Sequence, residues 1–507
     1  MKGWRAAAAA VGAAVLGANA WRIASHQGAP SFDDAWYLEV SFRLLSAADQ
    51  GPAALAQAWT EAFRIKAPLL SLLPLPLYAV FGPGEKVALW VQQASLVLGW
   101  ASVYGLGRRL YGEKAALAAV CAAALTPLLY GLSRVFLVEC VLTTLVVAFH
   151  WAVLELRPER PRDGVLLGLL FGLGLLCKIT FPLYVAGILF LERDRFRRDS
   201  TVAAGLAASI LAGSWYAFNL PYVLGFAWSA GFGRIAKDYG GSVLASPGLA
   251  LAFWKGAGRE ALSFPFLLAS VALAALAWRL RRAGWTPGRA EFLLASWFLL
   301  PAAVFTLGVN KEIRYLAPVL PAACLALGAA AAWAAERGAG LLVALCLLLP
   351  MKVLATQTLG LPPGAALIYN GPPDRDPGWD RAAVLESLRL DAGAGPAVAA
   401  VAYEHPAFNA NNLASLAAAR GMRLSFVSLG YAQTSLEAAL IRMKEKDVRY
   451  LVLVAGHPAQ AAPGFLNVVN DGVAALAGTA RLPARRLGLL ALAPGMTAVL
   501  YRLERRE

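Results

Sequence analysis

The sequence predicts a polytopic α-helical membrane protein of about eleven spans, carrying a small soluble α/β domain in its C-terminal part. Composition is the first sign: 507 residues, 59% hydrophobic and only 15% charged, with a mean hydropathy of +0.57. Soluble globular chains are nearer ~45–50% apolar and ~25% charged. The second sign is the recurrence of apolar runs near the ~20 residues that cross hydrocarbon. The third is a change beyond about residue 380, where short apolar runs alternate with helical patterns.

The net charge of +15 falls in short clusters between apolar runs. Cytoplasmic loops that fix membrane orientation have this pattern, so the charge is not read as a nucleic-acid surface. Cys121, Cys140, Cys177, Cys324 and Cys346 lie in or at the edge of apolar segments. Without CxxC or Cys/His ligand spacing, neither a disulfide framework nor a zinc site is expected. His150, alone in an apolar run, reads as a packed side chain.

Taken in order, residues 1–24 have a basic start and an alanine-rich core. They are read as an uncleaved first span rather than a signal peptide, because many spans follow. Lys2 and Arg5 put the N-terminus in the cytoplasm, so a span at 6–24 exits and 25–85 forms the first outer loop. Basic clusters at Arg108, Arg109 and Lys114, at Arg157, Arg160 and Arg162, at Arg193 to Arg198, and at Arg279, Arg281, Arg282 and Arg289 then demand spans in pairs. Those pairs fall at 87–106, 115–132, 137–154, 164–178, 180–191 and 201–220. After a loop at 221–258 come 260–278, 290–308, 313–335 and 339–357. This parity leaves P-L-L-S-L-L-P-L-P-L-Y-A-V-F (68–81) as an interfacial or re-entrant piece, since it is short and holds three prolines.

The expected organisation is a transmembrane domain over 1–357, a linker over 358–380 centred on the Pro/Gly-rich stretch 361–379, and an extracytoplasmic α/β domain over 381–507. Strands are expected at 397–403, 424–429, 450–455, 486–493 and 497–503. Helices are expected near 408–420, 434–446 and 464–478.

Ionisable residues at the ends of spans are functional candidates by default. On this topology four groups share the outer face. They are Asp33 and Asp34 in S-F-D-D-A-W-Y-L-E; Arg64 and Lys66 in R-I-K-A-P-L-L; Arg134 and Glu139 in S-R-V-F-L-V-E; and Lys178 together with Lys311, Arg314 and Tyr315 in N-K-E-I-R-Y-L-A-P-V-L-P. Taken singly, each reads as a solvated cap, a snorkelling end or a loop ion cluster. Together, cations that hold a lipid phosphate and a carboxylate that serves as general base on a hydroxyl amount to group-transfer chemistry. A transporter or flippase for a lipid-linked glycan would use the same cations, but midplane charges and inverted repeats are not evident.

These motifs resemble those of the GT-C fold membrane glycosyltransferases, in the branch of the protein O-mannosyltransferases and the aminoarabinose transferase. The matching elements are D-D-A-W-Y, K-A-P-L-L…V-F-G, R-V-F-L-V-E, G-L-G-L-L-C-K and R-Y-L-A-P-V-L-P, in family order over about residues 5–322. The resemblance implies a GT-C fold and an inverting transfer from a polyprenyl-phosphate sugar, undecaprenyl phosphate in bacteria. Its acceptor would be a lipid, glycan or protein hydroxyl at the outer face of the cytoplasmic membrane. It implies Asp33 as catalytic base, Asp34 at a supporting acidic position, Glu139 as second acid, and Lys66, Lys178 and Arg314, with Tyr315, at the donor phosphate. No cofactor is required on this reading, although some relatives use a divalent ion, for which Asp33 and Glu139 would be the ligands. Ala67 departs from the family's usual proline, and Asp34 and Glu139 exchange acid lengths. A catalytically degenerate assembly or binding member of the family is the remaining alternative.

Overall fold

The computed structural model describes residues 1–233, 235–237, 244–280, 287–361, 367–374, 378–431, 435–457 and 466–504. Arg281, Arg282, parts of the 361–379 linker and the first residues of the helices expected at 434–446 and 464–478 lie outside the described residues. Among those described, five helices are long and apolar enough to cross a membrane. The count becomes six if the bent pair Pro247–Leu262 and Phe264–Arg279 is one span.

Part of the difference from eleven is that the spans expected at 313–335 and 339–357 run together as Ile313–Leu359, kinked at Arg337 and Gly338; part is local. The run expected at 115–132 breaks at Thr126 into Glu113–Leu125 and Pro127–Leu132, with a proline opening the second piece. The run at 180–191 yields an 11-residue helix, Phe181–Leu191. The run at 164–178 yields a 17-residue helix, Pro161–Cys177. The stretch 68–81 forms two short helices, Leu69–Leu72 and Leu75–Phe81, broken around Pro74.

The chain folds as two compact units. The first comprises Met1–Ala24, Trp59–Leu73 and Leu89–Pro372. Among the described residues, Pro161–Cys177 packs extensively against Arg198–Gly231. Lipid tails are as apolar as leucine, so helices in a bilayer associate by close packing of small residues rather than by a hydrophobic drive. Here Gly164, Gly168 and Gly172 face Ser200, Ala204 and Ala208, and a Cβ on Gly168 would stand 2.2 Å from the Ala204 carbonyl oxygen. Gly328 makes the same close approach to Ala115 and Ala119.

The second unit comprises Ser25–Ala58, Pro74–Ala88 and Pro373–Glu507. Its five-stranded sheet runs β2-β1-β3-β5-β4. Strands β1 (Ala397–Val401), β2 (Leu424–Ser428) and β3 (Tyr450–Ala455) are parallel. Strand β5 (Met496–Leu503) is antiparallel to β3, and β4 (Ala484–Ala493) lies outside it as an edge with two register shifts. Alternate residues of β1 face opposite cores, as the two-residue strand period requires. Ala397, Ala399 and Val401 meet Leu413 and Ala417 of the Ala410–Ala419 helix. Ala400 instead meets Ala439 and Met443 of the Leu436–Glu445 helix.

The early helix Phe32–Gln50 belongs to this unit. It packs on Ala410–Ala419, and Asn411 Nδ2 donates to the Phe32 carbonyl at 3.1 Å. It also packs on Leu75–Phe81, where the Tyr78 ring lies 5.5 Å from that of Phe42.

Two predictions follow from this packing. Gly168→Leu should destabilise the detergent-solubilised protein by about 1–3 kcal/mol through overpacking. Gly205→Leu, where nothing lies within 4 Å, should leave the thermal midpoint near wild type.

At the end of β1, burial raises the Glu404 carboxyl from 4.5 to about 7, against a smaller lowering by a Ser428 hydrogen bond. Between those pH values the folded chain keeps a proton that the unfolded chain has lost. Stability of this unit should therefore fall as pH rises from about 4.5 to 7, by roughly 3 kcal/mol at most. Hydrogen exchange of the β1 amides, corrected for intrinsic rate, should show that slope in wild type and a flat profile in Glu404→Gln.

Candidate active site

Glu139 is the second residue of the apolar helix Val138–Glu155 and is 1% exposed. A helix N-terminus favours an anion, but burial still demands a counter-charge. Lys178 supplies it from the C-terminal cap of Pro161–Cys177, where backbone φ of −159° turns the chain out of the helix. Its Nζ donates to Glu139 Oε1 at 2.8 Å. Arg314 approaches the same oxygen, Nε at 3.6 Å, from the 3₁₀ turn Ile313–Val319. Arg314 Nε also lies 3.6 Å from the more exposed Glu312 carboxylate.

Tyr315 closes the group. Lys178 Nζ sits 4.3 Å from its ring centroid and Arg314 Cζ 5.9 Å, both within cation–π range. Glu139 Oε2 has no hydrogen-bond partner among the described residues, which leaves one acceptor open beside two cations. No three His, Cys, Asp or Glu side chains gather in metal-binding geometry among the described residues.

The structure thus brings together Glu139, Lys178, Arg314 and Tyr315. It sets Arg134 elsewhere in the first unit, 1% exposed, where Nε donates to Asn19 Oδ1 at 2.7 Å and Nη2 to Thr358 Oγ1 at 3.1 Å. Lys311 caps the end of the Arg289–Leu307 helix, its Nζ donating to the carbonyls of Phe305 and Thr306. Arg64 adopts a left-handed backbone (φ 61°) and lies over the Tyr222 ring at 5.7 Å. Lys66 is half-buried in the same segment. Asp33 and Asp34 occupy the first turn of Phe32–Gln50 in the second unit, Asp34 buried and Asp33 half-exposed.

Three contributors escape a sequence reading. Tyr184 donates its hydroxyl to the Tyr315 carbonyl at 2.9 Å, which fixes the turn that carries Arg314. Trp215 Nε1 donates to the Ala62 carbonyl at 3.2 Å, and Asn219 Nδ2 donates to that of Thr60 at 2.7 Å. These two bonds hold the strained backbone just before Lys66. Their only sequence signal is a polar atom inside an apolar run, which must find a partner in the bundle.

Removing one partner of a buried ion pair leaves the other uncompensated. Lys178→Ala should therefore destabilise the protein by about 3–5 kcal/mol, read as the thermal midpoint in nanodiscs. Lys178→Ala combined with Glu139→Ala should recover part of that loss. Strict additivity of the two single effects would show that the pair is not coupled.

Residues 66–216 match the family model of the dolichyl-phosphate-mannose-protein mannosyltransferases. No curated protein sequence matches the chain. Among solved structures, ArnT from Cupriavidus metallidurans bound to undecaprenyl phosphate is 15% identical, with a TM-score of 0.61 over 99% of this chain and 98% of that one. The Archaeoglobus fulgidus oligosaccharyltransferase in complex with Zn and sulfate is 14% identical, with a TM-score of 0.52 over 88% and 67%. The arabinofuranosyltransferase AftD from Mycobacteria is 14% identical, with a TM-score of 0.52 over 98% of this chain and 40% of that one. The resemblance read from the sequence motifs and the likeness of the fold coincide: the chain is a GT-C fold protein, built like these membrane glycosyltransferases.

Proposed function

We propose that the protein is an inverting glycosyltransferase that moves a sugar from a polyprenyl-phosphate donor, undecaprenyl phosphate in bacteria, to a hydroxyl acceptor at the outer face of the cytoplasmic membrane. The observation that carries this reading is the Lys178–Glu139–Arg314 cluster at three converging chain ends, in a GT-C fold whose relative ArnT was solved with undecaprenyl phosphate.

In this reading Lys178 and Arg314 clamp the donor phosphate. The Arg314–Glu312 contact, at 3.6 Å and on the exposed side, gives way to it, while buried Glu139 keeps both cations aimed. Lys66, with Arg64 beside it, approaches from the segment that Trp215 and Asn219 hold. Asp33 is the base: its carboxylate takes the acceptor O–H proton as the new O–C1 bond forms on the face opposite the phosphate. The C1–O bond to phosphate breaks and the phosphate keeps the electron pair, so the clamp stabilises the charge that develops there. Asp34 supports the base. Arg134 and Lys311, engaged with protein acceptors, act as struts of the same outer face. The N-terminus is cytoplasmic, and the 381–507 region is an extracytoplasmic domain after the linker at 358–380.

Asp33→Asn should abolish transfer from radiolabelled undecaprenyl-phosphate sugar to membrane acceptors while native mass spectrometry still detects bound undecaprenyl phosphate. Arg314→Ala should weaken that lipid binding by about tenfold or more, the usual loss of a charge-assisted contact. Full transfer by Asp33→Asn would remove it as base.

A further inference from the structure

A groove in the first unit stands outside the transfer chemistry above. It holds about 810 Å³ and lies among the helices Pro161–Cys177, Phe181–Leu191 and Arg198–Gly231. Its shape follows from small residues. Ala204 and Ala208 lie against Gly168 and Gly172 and bring Arg198–Gly231 close to Pro161–Cys177. On the groove side of the same helix, Gly205 and Gly213 present no side chain, and a Cβ on either would meet nothing within 4 Å. The Tyr216 hydroxyl donates to the Leu175 carbonyl at 2.9 Å and ties the two helices further along. Val202, Leu206 and Ile210 beside these positions are exposed apolar side chains, so this flank faces hydrocarbon.

Among the described residues that line the groove, Arg193 alone carries a charge. It points outward: its Nε lies 3.5 Å from the exposed Asp194, and its Cζ sits 4.6 Å over the exposed Phe190 ring. The neighbouring Arg195 is engaged inward, donating from Nη1 to the Val153 carbonyl at 3.1 Å and from Nη2 to that of Leu156 at 3.0 Å. Arg197 and Arg198, next in the chain, are exposed, as is Asp199. Lys178 and Arg314, the cations at Glu139, are not among the described lining residues.

An apolar groove that faces hydrocarbon takes up a lipid chain, because a void there forfeits dispersion contacts. A cation at one end selects an amphiphile that carries its negative charge at that end. From Thr201, in the first turn, to Gly213 the groove follows its helix for about 18 Å at 1.5 Å per residue. That is a little over half of the ~30 Å hydrocarbon thickness, the reach of an acyl chain from one leaflet. We propose that the groove is a binding site for an anionic phospholipid, its phosphate on Arg193 and one acyl chain laid over Gly205 and Gly213. This lipid is neither donor nor acceptor; it fills the wall between Phe181–Leu191 and Arg198–Gly231.

Native mass spectrometry of the full chain tests this, with delipidated protein in detergent titrated with phosphatidylglycerol or with phosphatidylcholine of the same acyl chains. The wild type should retain one phosphatidylglycerol about fivefold better than phosphatidylcholine, which is what a single cation near anionic lipid is worth. Arg193→Gln should lose that preference and hold both lipids at the phosphatidylcholine level. Gly205→Leu fills the groove without a clash and should lower retention of both. Its thermal midpoint checks the fold, and if that shifts, Gly213→Leu, at an equally open position, takes its place. An equal amount of undecaprenyl phosphate should leave the phosphatidylglycerol bound. Equal retention of the two phospholipids by the wild type, a preference that survives Arg193→Gln, or unchanged retention in a folded groove-filling variant would each overturn the proposal. Displacement of phosphatidylglycerol by undecaprenyl phosphate would overturn it too, since the groove would then belong to the donor.

Discussion

A carboxylate two residues into an apolar helix has to be neutralised where it stands, and Glu139 is neutralised by two cations that arrive from different parts of the chain. Lys178 comes from a helix end and Arg314 from a 3₁₀ turn. Neither helix could keep its charge at this depth alone, because desolvating an unpaired ion costs several kcal/mol. The ion cluster therefore fixes the mutual position of three chain ends. Tyr315, lying against both cations and held at its carbonyl by Tyr184, makes the arrangement stiff. A stiff cluster with an exposed side is suited to a ligand that carries its own negative charge.

A second polar assembly does the same work with fewer formal charges. Arg134, Asn19, Gln93, Ser133 and Thr358 are buried and joined by hydrogen bonds, with Asn19 Nδ2 donating to both Gln93 Oε1 and Ser133 Oγ. The Asn370 side chain extends it to the Pro127 carbonyl at 2.8 Å. Networks of this kind specify one packing because any slip leaves a donor or acceptor open in a medium without water.

Much of this was legible in the residues, and the gaps have physical reasons. Charge parity groups Glu139, Lys178 and Arg314 on one expected face, and these three side chains meet in the structure. The same parity grouped Arg134 and Lys311 with them. Parity says nothing of where a long side chain points, and these two turned to protein carbonyls and amides. Tyr184 in F-P-L-Y reads as one more interfacial aromatic, because a hydroxyl's partner on a distant turn leaves no local pattern. Strand period marked β1 to β5, but the packing of Phe32–Gln50 on Ala410–Ala419 links segments nearly 400 residues apart in the chain, beyond the reach of any window. Counting apolar residues cannot see that Thr126 and Pro127 interrupt the run expected at 115–132.

The outer strand of the sheet carries a further consequence. β4 opens with Arg485 and Arg486 and loses register twice, between Arg486 and Gly488 and between Ala491 and Ala493. A membrane confines its proteins to two dimensions, where like chains collide far more often than in free solution. A flat apolar strand edge there would invite one copy to extend the sheet of another. Charge and kinks on that edge deny a regular hydrogen-bonding template, so crowding on the bilayer need not become aggregation.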